Sequence, residues 1–94
     1  MEYVRFKIGE KKIISIRVQS CNKKEFEVTN AKYILKKGME IEESGSCTID
    51  REKEYSTMLS AIIQPKAKNA DYTLEFTYEV PPEILKHEIK VTVT

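Results

Sequence analysis

A chain of 94 residues has room for a single hydrophobic core, so residues 1–94 are read as one domain. Its 16 Lys and Arg against 15 Asp and Glu leave a formal charge of +1. The two signs are interleaved from end to end, which excludes the one-signed basic surface of a nucleic-acid binder. A hydrophobic fraction of 40% beside 33% charged residues suits a globular domain rather than a disordered one, and apolar runs no longer than Ala61-Ile62-Ile63 rule out a membrane-spanning helix.

Period-two alternation is the dominant signal. Val4, Phe6 and Ile8 share one face of a first strand that Gly9 and Glu10 end. Lys12 to Gln19 follows, with Ile14, Ile16 and Val18 inward and Ser15 and Arg17 outward. A polar loop, 20–24, leads to a short extended piece at Phe26 and Val28, and Ala31, Tyr33 and Leu35 mark a third strand. Lys37-Gly38 reads as a tight turn, after which Met39 and Ile41 resume the alternation. Ser44-Gly45 reads as the next turn, and Cys47 and Ile49 as the inward side of the strand beyond it.

Residues 50–64 admit two patterns. Tyr55, Met58, Leu59, Ile62 and Ile63 are spaced for a helix, with Asp50 as a cap and Pro65 as a stop. Tyr55, Thr57, Leu59, Ala61 and Ile63 alternate as a strand, which β-branched and aromatic residues favour; in a chain otherwise made of strands, the strand is preferred. Tyr72, Leu74, Phe76, Tyr78 and Val80 then alternate without a break until Pro81-Pro82, which cannot donate to a ladder. Leu85, His87, Ile89, Val91 and Val93 form the inward row of a last strand, while Lys86, Glu88 and Lys90 point outward.

No catalytic constellation emerges. His87 is the one histidine of the chain, so any triad would hang on it, and a lone strand histidine is far more often a packed residue than a general base. Cys21, Cys47 and His87 lack ligand spacing, so neither a metal nor another cofactor is expected. Without a leader-like segment the chain is expected in the cytoplasm, with both cysteines free. Glu40, Glu42 and Glu43 read as the solvated face of a strand, not an acid/base pair. Gly9, Gly38 and Gly45 are isolated, so no phosphate-cradling loop is expected.

Asn69-Ala70-Asp71-Tyr72-Thr73-Leu74 resembles the corner of an immunoglobulin-like sandwich, where a tyrosine opens the penultimate strand and its hydroxyl bonds back to nearby backbone. Tyr72 would be that tyrosine; Leu74 stands where antibody domains carry a cysteine, and no tryptophan marks the third strand. The expected fold is therefore an all-β, immunoglobulin-like β-sandwich of about seven to eight antiparallel strands.

From Ile8 to Val93 the chain is also similar to small immunoglobulin-like modules of tailed-phage and prophage structural proteins. The similarity lies in Gly9 with the strand after it, Phe26 to Tyr33, Ser44-Gly45, and the closing hairpin opened by Tyr72 to Phe76. The resemblance implies a non-catalytic structural module of a tail, baseplate or head. Its partners would be other phage structural proteins or copies of itself, and its final location the virion. Sheet edges would then make the contacts, unless charges such as Lys86 and Lys90 merely protect an edge. The alternative is a free-standing carbohydrate- or ligand-binding module, for which Tyr3 and Tyr55 are the candidate exposed rings.

Overall fold

Alternating side chains need two faces, and the chain supplies them by stacking two sheets. The computed structural model describes residues 2–19, 26–53, 56–67 and 70–94, which form eight strands and no helix. They are β1 (Glu2–Phe6), β2 (Lys12–Gln19), β3 (Asn30–Lys37), β4 (Glu40–Ser46), β5 (Thr48–Lys53), β6 (Ser56–Ile63), β7 (Ala70–Val80) and β8 (Glu83–Val93). One sheet has the order β1-β8-β7-β3-β4 and the other β2-β6-β5. The core between them is built from the inward rows that alternation selects, such as Ile14 and Ile16, Leu59 and Ile63, Leu74 and Phe76, and Val91 and Val93.

Of residues 50–64, 50–53 are the end of β5 and 56–63 the whole of β6, whose Thr57, Leu59, Ala61 and Ile63 are all buried. Tyr55, like Cys21 and Asn69, lies outside the described residues. A helix here would have withdrawn from the ladders the backbone groups that β6 exchanges with β2 on one side and β5 on the other. The piece around Phe26 and Val28 forms no strand. Val28 is nevertheless buried, and Thr29 N donates to Glu79 O at 3.0 Å, which ties the segment to β7.

Several expectations are corrected by tertiary structure. Not every strand pair is antiparallel, because β1 runs parallel to β8, from Glu2 beside Ile89 to Phe6 beside Val93. This pairing makes Ile89–Val93 of β8 interior, so Lys90 is not an edge charge, whereas Lys86 lies on the stretch of β8 that β1 does not reach. Both lysines stand on the outer face, where Glu75 reaches Lys36 and Lys86, both at 3.8 Å. The inward row of β1 stops at Phe6; Ile8 is exposed in a turn whose Gly9 takes a φ of 89°. Met39 does not resume the alternation either. With Gly38 (φ 62°) it forms the β3–β4 turn and is 97% exposed.

Ser44-Gly45 is not a turn but part of β4, directly across from Ile34 and Tyr33. The ring of Tyr33 packs on this glycine: an added Cβ would come within 3.2 Å of Tyr33 Cε1, so the ring would have to give way by a few tenths of an ångström. The chain changes sheets one step later, at Cys47, whose N–H still donates to Ala31 O at 2.9 Å. Cys47 and Ile49 keep the inward phase, but Ile49 on edge strand β5 remains exposed. In the last strand, Leu85 and His87 share the phase of the buried Ile89 but are not themselves buried. The hairpin of β7 and β8, 11 residues each, outruns the eight-residue strands β2 and β6 that cover it.

The link after β6 is held by side chains rather than by a ladder. Tyr72, 1% exposed, accepts a hydrogen bond on its hydroxyl from Ala67 N at 3.0 Å and donates to Glu42 Oε1 at 2.9 Å. The other Glu42 oxygen accepts from Lys66 N at 3.2 Å, and Glu43 Oε2 from Gln64 N at 3.1 Å. The two glutamates, Glu42 exposed and Glu43 half-buried, thus hold the link as well as facing solvent. A register shift at Leu35/Lys36, which pair with Glu43 and Ile41, makes Glu42 the extra residue of a bulge, and such bulges re-aim side chains. Burial holds the Tyr72 hydroxyl above the ordinary phenol range; the Ala67 N–H opposes this and Glu42 reinforces it. The group stays protonated and able to donate.

Candidate interaction surface

His87 and Cys47, the reactive groups named from the sequence that lie among the described residues, do not meet. They are separated by β3 and β7, about 14 Å at ~4.8 Å per strand. His87 Nε2 instead lies 3.0 Å from Glu2 Oε1 in an exposed pair, a contact worth at most ~1 kcal/mol. Burial pushes the Cys47 thiol up to about 11, which suppresses the thiolate that a nucleophile requires. In a Cys21→Ser background, alkylation of Cys47 at neutral pH is expected to be roughly a hundredfold slower than that of an ordinary thiol; labelling at the ordinary rate would show the thiol to be accessible. Among the described residues no group of three His, Cys, Asp or Glu side chains is arranged to hold a metal ion.

Exposed rings are sparse among the described residues. Tyr3, 73% exposed, stands on the outer face of β1 beside Lys90. Tyr33 is half-buried and walls a notch of about 460 Å³ with Ile13, Ser46, Thr48, Ser60 and Ile62. The notch exists because β5 pairs with β6 only as far as Thr48 and Ser60. Beyond that point the Ile62 carbonyl is met by the Tyr33 hydroxyl at 3.5 Å instead of by a strand. No charged side chain is among those that line the notch.

The edges of the two sheets are β1, β4, β2 and β5. Edge strands present unpaired N–H and C=O groups, and proteins blunt them by shortness, bulges, charges or proline. Strand β1 is five residues long. Strand β4 carries three glutamates and the bulge at Glu42. Strand β5 is irregular between Arg51 and Lys53 and carries four charged residues in succession, Asp50 to Lys53. Strand β2 differs from all three. Its eight residues pair with β6 in unbroken register, from Lys12 beside Ile63 to Gln19 beside Ser56, without glycine, proline or bulge.

Charge guards β2 only at its margins. Lys12 turns away, donating to Arg5 O at 3.0 Å and lying 4.9 Å from the centre of the Phe6 ring. Arg17 is drawn across the outer face to Glu52 Oε1 at 3.1 Å. Between them run Ile13-Ile14-Ser15-Ile16. On the outer face Ile13, 65% exposed, sits directly across from Ile62, 51% exposed, and Ser15 Oγ lies 2.8 Å from Ser60 Oγ. The sequence shows Ser15 and Arg17 facing outward, but it does not show that β2 would be an edge, because that depends on which strand joins which sheet. No family model, no curated protein and no solved structure matches the chain.

Proposed function

We propose that the chain is a non-catalytic protein-interaction module, an immunoglobulin-like sandwich that serves as a structural component of a phage or prophage particle. The observation that carries the interaction reading is β2: a regular, unblunted edge strand beside the exposed Ile13–Ile62 pair. Such an edge is a template for another strand. The strand order supports the finer fold reading, since β2-β6-β5 matches the B-E-D order of such sandwiches, and β8-β7-β3 matches G-F-C with β4 alongside. The bond from Ala67 N to the Tyr72 hydroxyl, at the start of the penultimate strand, supports it further. The phage assignment rests on the sequence resemblance alone.

Sedimentation of purified particles tests the reading. The protein is expected to travel with assembled particles in fixed proportion; intact particles that lack it would overturn the virion role. The ligand-binding alternative draws on the uncharged notch beside Tyr33, and saturable quenching of tyrosine fluorescence by a neutral oligosaccharide would favour it instead.

A further inference from the structure

We infer that β2 pairs with β2 of a second copy of this chain, antiparallel about Ser15, so that two three-stranded sheets become one continuous sheet. The inference rests on the interaction reading and names its partner. Its first support is the direction of the backbone. Ile62 O points away from β2, toward the Tyr33 hydroxyl, and Gln64 N faces the same way, toward Glu43. Backbone direction alternates along a strand, so residues 61 and 63 of β6 bond to 14 and 12 of β2. The amides and carbonyls of Ile13, Ser15, Arg17 and Gln19 therefore point out of the sheet.

Those outward groups are self-complementary. In an antiparallel pair centred on Ser15, its outward N–H and C=O exchange hydrogen bonds with the partner's Ser15, and those of Ile13 with the partner's Arg17. The register sets no like charges directly opposite one another: Arg17 faces isoleucine, and Lys12 faces the partner's Val18. On the inner face Ile14 and Ile16 meet their counterparts and extend the apolar row. On the outer face small serine side chains meet at the axis, with the Ile13–Ile62 pairs on either side. A charge of +1 per chain offers little repulsion between copies.

The other edges fit a second copy less well. Pairing β4 with itself would be confined to the few residues between the Glu42 bulge and the change of sheet at Cys47. Pairing β5 with itself would be interrupted by the irregularity between Arg51 and Lys53.

Light scattering coupled to size-exclusion chromatography, from micromolar to millimolar chain, reads the association. The expected result is a rise from monomer to dimer mass, together with increasing protection of the Ser15 amide in hydrogen exchange. Ser15→Lys sets two ammonium groups against each other at the axis while remaining outward on the monomer. It should weaken association at least about tenfold, with partial recovery in high salt. Ser15→Pro removes an outward N–H and no bond to β6, a change that edge strands tolerate; it should abolish the dimer, and Ser15→Lys carries the test if the proline variant does not fold. A monomer at every concentration, or a dimer that both variants leave intact, would overturn the inference. A monomer that still travels with particles would overturn self-pairing alone, whereas absence from particles would overturn the virion role whatever the mass.

Discussion

Phe76→Ala is expected to cost about 3–5 kcal/mol, the largest loss foreseen for any single substitution discussed. Phe76 is 0% exposed on β7, the central strand of the five-stranded sheet, with Tyr33 beside it on β3 and His87 on β8. Because its neighbours are fixed by ladders on both sides, they cannot collapse into the space the ring leaves, and the cavity term adds to the lost transfer energy. A domain of this length has roughly 5–14 kcal/mol in total. The urea midpoint should therefore fall by about a fifth or more with an unchanged slope; a shift smaller than a tenth would mean that the ring is not packed as described.

Tyr72→Phe is expected to cost about 1–3 kcal/mol without any change in apolar burial. Deleting the hydroxyl leaves the Ala67 N–H without its acceptor and Glu42 Oε1 without its donor. Ala67 is half-buried, and an unmet polar group there costs more than the bond itself contributes, whereas the exposed Glu42 carboxylate can turn to water. Glu42→Ala removes the same carboxylate and also frees Lys66 N. The double variant should therefore lose less than the sum of the single ones, because the two residues hold one link. Strict additivity in a denaturation cycle would show that Tyr72 and Glu42 act separately.

These two residues differ in how far the sequence disclosed their roles. Phe76 is legible as core because five inward residues, Tyr72 to Val80, alternate without interruption, and a strand so marked has one face to bury. For Tyr72, the resemblance of Asn69 to Leu74 to an immunoglobulin-like corner implies a hydroxyl that bonds back to the backbone, and the Ala67 N–H meets it. Glu42 is not legible. In sequence it alternates with Ile41 as any exposed strand residue would, and only the bulge against β3 turns it toward the link at Lys66.

The candidate surface divides in the same way. Outward placement of Ser15 and Arg17 follows from alternation, and so does the strand nature of β6, where Thr57 and Ile63 suit a pleated surface better than a helix. Whether the outward amides of β2 are paired is a question of neighbours. It turns on β1 joining β8 in the other sheet rather than pairing with β2.

By itself the sequence determined which side chains of β2, β3, β6, β7 and β8 face inward, where the tight turn at Gly38 falls, and that the described fold is built of strands. Those features depend on contacts local in the chain, on two-residue periodicity, and on the conformational freedom of glycine at positive φ. Tertiary structure alone decided that β1 lies parallel to β8, that Gly45 serves the ring of Tyr33 instead of a turn, that Leu85 and His87 outrun the covering sheet, and that β2 is left as an edge. Each of these depends on a partner distant in sequence, and periodicity within one strand carries no information about which strand will lie beside it.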